Sequence, residues 1–343
     1  MATTAIAFLG MGVMGSAMAA NLAKAQAKQP QIPIQIWNRT GDRPAIQTAI
    51  AAGALWCNTL AEAVANASII FTCLGDVPDV EAVLLGDNGV IHHAPAGSLV
   101  VDTSTIGPAA VRGIAQQLWD QKQIRFLDAP ISGGDIGAQR GTLTIMVGGD
   151  RLDFDEALPW LEMMGSNITR CGPVGSGQAV KLCNQVLAAG HMMALCEALK
   201  LAEAQNLDPN LIVEVCSTGA AGSWALANLG PKIIDSDFAP GFAIEHMVKD
   251  MRLVLENLNL DDAISDAMSG ERQPGDRPFP VTQWAAQCFQ QVAQLDNGNG
   301  RFQGTQAARR IYDGDTSLVP PENSPADFSA DFPADSPATN DNQ

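Results

Sequence analysis

Short apolar runs alternate with longer mixed stretches through the first half of the chain. Ala5–Leu9, Ile34–Trp37, Ser68–Leu74, Ser98–Asp102, Arg125–Asp128 and Leu143–Val147 read as strands. Met14–Ala27, Arg43–Ala52 and Pro108–Gln121, rich in Ala and Gln, read as helices between them. Strands alternating with helices at this spacing predict βαβ units and a parallel sheet. Thr142–Gly149 closes the last strand of this half. The pattern then changes. Gly177 to Glu203 has no Pro and is apolar throughout, which predicts a long helix buried on all sides. Leu211–Cys216, Trp224–Leu229, Met247–Leu258 and Thr282–Leu295 also read as helices, and no strand pattern follows residue 172. The expected fold class is therefore an α/β N-terminal domain with a parallel-strand core, residues 1–172, and an all-α domain, residues 173–312. Ser269–Pro280 reads as a loop. Residues 313–343 form an acidic tail whose Thr316–Gln343 stretch lacks Lys and Arg, and which reads as disordered and dispensable rather than as a partner motif.

Length and composition agree with this division. At roughly 150 residues per domain, 343 residues make about two domains. The 46% apolar content supports a large core and excludes a wholly disordered, collagen-like or disulfide-stapled chain. Charge narrows the partners. Twenty Lys and Arg against 37 Asp and Glu leave a net −17, which repels phosphate backbones and anionic lipid. No nucleic acid and no membrane partner is expected, and no apolar run of ~18 residues predicts a membrane-crossing helix. The N-terminus runs from its first apolar residues straight into a glycine turn, so it reads as a strand rather than a signal segment. The seven cysteines are scattered and odd in number. They read as reduced, mostly buried thiols of a cytoplasmic protein. His92-His93 reads as part of a loop, and no metal site is expected.

Five segments carry chemistry. Gly10-Met11-Gly12-Val13-Met14-Gly15 follows the first strand and opens a helix. In a dinucleotide fold, such glycines permit a tight turn, close approach to a pyrophosphate, and helix-on-strand packing. Asn38-Arg39-Thr40 ends the second strand, where NAD-binding chains usually carry a carboxylate for the ribose. Arg39 can instead pair with a 2′-phosphate while Asn38 and Thr40 hydrogen-bond it, which points to NADP(H); a solvated surface Arg is the plainer alternative. Asp102-Thr-Ser-Thr105 ends a strand, and Thr105 either reaches the nicotinamide end or caps the following helix. Ser132-Gly133-Gly134 offers a hydroxyl and two amides to a carboxylate.

The fifth segment is Gly175-Ser-Gly-Gln-Ala-Val-Lys181-Leu-Cys-Asn184-Gln185, with Lys181 and Asn184 on one helix face. A Lys among Ala, Val and Leu is costly unless it has a partner or a task. Burial would lower its pKa toward proton transfer, and a snorkelling Lys is the alternative. Lys249-Asp250 reads as an exposed ion pair.

Together these blocks resemble the β-hydroxyacid dehydrogenase family: FLGMGVMGSAMAANL, VDTSTIGP, DAPISGGDIGAQRGTLTIMVGG, GSGQAVKLCNQ and FAIEHMVKDMRL, in that order, over residues 5 to 312. The resemblance implies a Rossmann-type first domain, a 6-phosphogluconate dehydrogenase-like helical second domain and an active site between them. It implies Lys181 as proton donor, Asn184 on the substrate oxygen, and Ser132, Gly133 and Gly134 on the substrate carboxylate. It places Leu74, Phe242 and Lys249 beside the cofactor, and it implies a homodimer or homotetramer. The Asn38-Arg39-Thr40 and Lys249-Asp250-Met-Arg-Leu segments are most similar to the NADPH-dependent glyoxylate/succinic semialdehyde reductase branch. NAD-dependent 3-hydroxyisobutyrate oxidation and tartronate semialdehyde reduction stand as alternatives. Imine reduction on the same fold is disfavoured by Lys at 181, and a non-catalytic NADP-binding protein by the intact Lys181, Asn184 and Ser132-Gly133-Gly134 set. Leu74-Gly75-Asp76-Val77-Pro78 departs from relatives with Pro directly after the strand, and residues 262–278 read as an insert.

Overall fold

The computed structural model describes residues 5–26, 32–258 and 279–314. Nine strands form one sheet: β1 (Ile6–Leu9), β2 (Ile34–Trp37), β3 (Leu55–Trp56), β4 (Ile69–Thr72), β5 (Leu99–Asp102), β6 (Arg125–Asp128), β7 (Ile131–Ser132), β8 (Leu143–Gly148) and β9 (Gly165–Gly172). Their order is β3-β2-β1-β4-β5-β6-β8-β7, with β9 beside β8. The six strands from β3 to β6 are parallel. β8 joins β6 antiparallel, β7 pairs antiparallel with β8, and β9 runs parallel to β8.

The near-continuous apolar strands follow from cover on both faces. Ile6, Phe8, Ile69, Phe71, Leu99 and Val101 enter one core. Their neighbours Ala7, Leu9, Ile70 and Val100 enter the other, as a side-chain period of two requires. The chain passes β1–β2–β3 on one side and returns beside β1 as β4. The connection therefore reverses at the carboxyl end of β1, where open α/β sheets leave a crevice.

Helices Ser176–Ala204, Pro209–Ser217, Trp224–Ile234, Ile244–Leu258 and Pro280–Gly298 build the rest around a separate core that includes Met192, Cys196, Met251 and Phe289. Among the described residues no strand follows β9.

Several details differ from the sequence pattern. β3 and β7 are two residues each, too short for a period to register. β9 (GSNITRCG) carries polar, largely exposed side chains at the sheet margin. Arg151–Leu161 forms a further helix, started by Asp150, whose side chain accepts the Leu152 N–H. His92-His93 ends a one-turn helix, Val90–His93, rather than lying in a loop. The helix Ser176–Ala204 is not buried all round. Gly177, Lys181, Leu182, Gln185, Ala189 and Met192 face inward, while Leu187 and Leu201 are 60% and 62% exposed. The described residues cover one face of it. The cysteines are free; Cys57, Cys196 and Cys288 are buried, and Cys183 is exposed. Ala27, the 262–278 segment, all of the Ser269–Pro280 loop before Phe279, and the tail after residue 314 lie outside the described residues.

Candidate active site

The glycine turn is shaped by contacts that no side chain would fit. Gly10 has φ +96°, and a Cβ there would lie 2.3 Å from the Cys73 carbonyl oxygen. A Cβ on Gly15 would lie 2.0 Å from the Gly10 carbonyl oxygen, so helix Val13–Gln26 packs directly on its own entry turn. Gly12 is the opposite case: a Cβ there would meet nothing within 4 Å. The turn is thus closed toward the sheet and open at Gly12, beside a helix N-terminus. That arrangement fits a pyrophosphate held by backbone N–H groups. Val13 is 66% exposed at this opening and Met14 is half-buried. The Met11 side chain is fully buried. Its N–H donates to Asn38 Oδ1 at 2.8 Å, and Asn38 Nδ2 donates to the Thr40 carbonyl at 2.8 Å. Asn38 therefore ties β2 to the glycine turn, and its amide is committed rather than free for a ribose phosphate. Thr40 is exposed. Arg39 is 76% exposed and its Nη1 lies 3.0 Å from Asp79 Oδ1. The Leu74 N–H donates to Ser104 Oγ at 2.9 Å, and its side chain lies over Gly10.

Two buried carboxylates at strand ends organise the next layer. Asp102 Oδ1 accepts from Thr72 Oγ1 (2.7 Å), Ser104 Oγ (2.6 Å) and the Ser104 N–H (3.1 Å). Burial pushes its carboxyl above the usual range. Asp128 receives the start of the second domain: Oδ1 accepts the Gly175 N–H at 2.7 Å, and Oδ2 the Gln178 N–H at 2.8 Å. Burial raises this carboxyl too. Gly177 is needed there, since its Cβ would lie 2.3 Å from the Met146 carbonyl oxygen. Gln178 is fully buried. Its Oε1 accepts the Ile106 and Gly107 N–H groups at 3.1 and 3.0 Å, and its Nε2 donates to the Ser104 carbonyl at 2.8 Å. The helix Ser176–Ala204 is thereby fixed at its first turn to β6 and to the loop after β5.

Lys181 sits one turn further on and is 5% exposed. Burial lowers its amine to about 8; Asp250 opposes the shift and Lys249 adds to it. Around it runs a polar chain. Asn184 Nδ2 donates to Gln185 Oε1 at 2.8 Å, and Gln185 Nε2 donates to Asp250 Oδ2 at 2.6 Å. Lys249 Nζ lies 3.1 Å from Asp250 Oδ1, an ion contact whose angle leaves that oxygen without a hydrogen bond. Lys249 Nζ also donates to the Thr105 carbonyl at 2.6 Å. The pair is not exposed, as its sequence context implied: the Lys249 and Asp250 side chains are 16% and 2% accessible. Helix Ile244–Leu258 places Lys249 against Thr105 of the first domain and Asp250 against Gln185, and no local pattern reports that. Thr105 does not cap the next helix; Gly107, at φ +85°, occupies that position.

Ser132 lies in β7, half-buried, opposite Thr144. Gly133 and Gly134 follow at φ +134° and +64°. A Cβ on Gly134 would lie 3.7 Å from the Gly241 carbonyl oxygen, so this turn faces the second domain. Next to Gly241 stands half-buried Phe242, its ring 5.8 Å from that of His246. The structure thus brings the Ser132–Gly134 turn to the 241–242 segment, and Lys249 to Thr105. Asp128, Gln178, Gln185 and Asp250 escaped the sequence reading as structural members of the site. Their only local signal was polarity inside apolar surroundings. Among the described residues no cluster of His, Cys, Asp and Glu could hold a metal ion, and no helix is long and apolar enough to cross a membrane.

A parallel sheet with an open glycine turn at its switch point, covered by a helical domain that contributes a buried Lys, fits a dinucleotide-binding enzyme. The comparisons narrow the class. Residues 5–172 match the family model for the NAD binding domain of 6-phosphogluconate dehydrogenase. Residues 175–311 match that for the NAD-binding domain of NADP-dependent 3-hydroxyisobutyrate dehydrogenase. An uncharacterised oxidoreductase of Synechocystis is 47% identical, over 90% of this chain and 97% of its own. The 2-hydroxy-3-oxopropionate reductase of Escherichia coli is 36% identical, over 74% of this chain and 83% of its own. The solved structure of Mycobacterium tuberculosis 3-hydroxyisobutyrate dehydrogenase with L-serine superposes at a TM-score of 0.73. That protein is 29% identical, with 90% of this chain and 99% of the other covered. The chain belongs to the β-hydroxyacid dehydrogenase family. It is an NAD(P)-dependent oxidoreductase with a Rossmann-type first domain and a helical second one.

Proposed function

We propose that the chain is an NADPH-dependent reductase of short carboxylate-bearing aldehydes or keto acids, of the glyoxylate or succinic semialdehyde type, with Lys181 as proton donor. Residues 1–172 hold the cofactor, and residues 173–312 complete the substrate site and supply subunit contacts in a cytoplasmic homodimer or homotetramer. The observation that carries the reading is Lys181: a buried amine lowered to about 8, one turn from a helix start fixed to the sheet. The backbone of Gly10–Gly15 binds the pyrophosphate. Arg39 takes the 2′-phosphate, since β2 is followed by Asn38 where a carboxylate would repel it. The bound cofactor supplies a hydride to the carbonyl carbon. Ser132 Oγ and the Gly133 and Gly134 N–H groups orient the substrate carboxylate. Lys181 transfers a proton to the carbonyl oxygen as charge develops on it, and Asn184 holds that oxygen in place. Thr105, Phe242 and Lys249 enclose the reacting face and exclude water.

The test is oxidation of NADPH, and separately of NADH, with glyoxylate, succinic semialdehyde, tartronate semialdehyde and methylmalonate semialdehyde. Turnover with NADPH that collapses in Lys181→Ala is expected. A clear preference for NADH would refute the role given to Arg39. Silence with all four substrates despite tight NADPH binding would move the substrate outside this class.

A further inference from the structure

We propose that Asp79 sets the cofactor preference, by competing with the 2′-phosphate of NADP(H) for the Arg39 guanidinium. The inference rests on the reading above, in which Arg39 receives that phosphate. Arg39 Nη1 is held 3.0 Å from Asp79 Oδ1, and the two side chains are 76% and 38% exposed. The pair therefore stands in water, where a contact between single charges is readily exchanged. A phosphate with nearly two charges and three acceptor oxygens is the stronger partner.

The two members of the pair are not equally free to move. Arg39 follows β2 on an exposed turn, and no other hydrogen bond of its side chain is seen among the described residues. Asp79 lies in the first turn of helix Val77–Leu84. Its other oxygen rests against Gly75: a Cβ on Gly75 would lie 2.7 Å from Asp79 Oδ2. The residue before Gly75 is Leu74, whose side chain covers Gly10. The carboxylate is thus seated on the loop that borders the glycine turn. When Arg39 turns to a phosphate, the Asp79 charge stays beside the place Arg39 left. An incoming dianion meets that charge; the 2′-hydroxyl of NAD(H) does not. Asn38 offers no relief, because its amide is held by Met11 and Thr40.

The experiment is a fluorescence titration of the full chain with NADP+ and with NAD+, at low and at high salt. It compares the unchanged protein, Asp79→Asn, Asp79→Glu and Arg39→Ala, with Michaelis constants for NADPH and NADH as a second readout. Asp79→Asn is expected to shift the ratio of affinities toward NADP+ by about three- to tenfold at low salt. The shift should shrink at an ionic strength of about 1 M. Asp79→Glu retains the charge and serves as the rescue, with a ratio near that of the unchanged protein. An Asp79→Asn ratio that is unmoved, or shifted toward NAD+, overturns the inference; the latter would mean that Asp79 pre-orients Arg39. Arg39→Ala separates the two levels. If it fails to weaken NADP+ relative to NAD+, the assignment of Arg39 itself falls, and this inference with it.

Discussion

Lys181 shows how a single burial event both costs stability and shifts an amine toward neutral pH. Its amine lies near 8 against an ordinary 10.5 because the surrounding chain disfavours the ammonium. Between those values the unfolded chain binds more protons than the folded one. Stability therefore rises with pH across that window, and below it the fold carries the cost of the buried charge. The shift corresponds to a penalty on the order of 3 kcal/mol at neutral pH. Lys181→Met is accordingly expected to stabilise the protein by about 1–3 kcal/mol at neutral pH while abolishing turnover. Denaturant unfolding of the two proteins at neutral pH and at about pH 10 checks this, because the gain should fade at the higher pH. Under the role proposed for Lys181, the same pKa gives the two directions of the reaction opposite pH dependences. Reduction needs the ammonium, so its kcat/KM should decline above about pH 8. Oxidation of the hydroxy acid needs the free amine and should rise over the same range. Initial rates in both directions decide it, and a flat profile would remove Lys181 from the proton transfer.

The elements show what a local pattern can and cannot carry. β1, β4, β5 and β6 were legible as apolar runs that send side chains into both cores, and β2 and β8 as apolar patterns that send theirs chiefly into one. β9 was not, since Ser166, Asn167 and Arg170 at the sheet margin have no need to be apolar. The long helix was legible in length but not in exposure. Leu187 and Leu201 are apolar like the core residues, yet nothing among the described residues covers them. Its anchoring was invisible for another reason: Asp128 is 47 residues from Gly175 and 50 from Gln178, and Gln178 is more than 70 from Ser104 and Ile106. No period reports a contact at that separation. Gln178→Leu tests the anchor. It keeps the volume but leaves the Ile106 and Gly107 N–H groups and the Ser104 carbonyl buried without partners. A loss of about 2–5 kcal/mol is expected. Hydrogen exchange should accelerate at Ile106 and Gly107 before the rest of the sheet, which separates unhooking of this loop from general destabilisation.

At the scale of the molecule, the two domains meet through ties of unequal kind. Arg252 Nη2 reaches Asp76 Oδ2 at 2.6 Å, with both side chains more than a third exposed. Lys249 reaches the Thr105 carbonyl from a largely buried position and lies beside buried Asp250. The glycine turn, the 132–134 turn and Lys181 were legible as separate motifs. The buried polar chain that joins Asn184, Gln185, Asp250, Lys249 and Thr105 was not, because its members look like surface residues until helices Ser176–Ala204 and Ile244–Leu258 pack together and Lys249 meets the first domain. The packing of helix Ile244–Leu258 on helix Ser176–Ala204 has an electrostatic consequence with a sign. Asp250 raises the Lys181 pKa and Lys249 lowers it. Asp250→Asn should therefore move the alkaline limb of the reduction rate to lower pH, and Lys249→Met should move it higher. Lys249→Met also leaves the Asp250 carboxylate buried without a neighbouring cation other than Lys181, at a cost of about 3–5 kcal/mol. Arg252→Ala removes only an exposed pair, worth about 0–1 kcal/mol. It should leave the limb where it is. pH–rate profiles of the three variants, read with their unfolding curves, distinguish a tuned amine from a merely supported one. Opposite displacements in Asp250→Asn and Lys249→Met require tuning of Lys181 by the two charges, whereas displacements in the same direction would mean that the pair acts on Lys181 through packing alone.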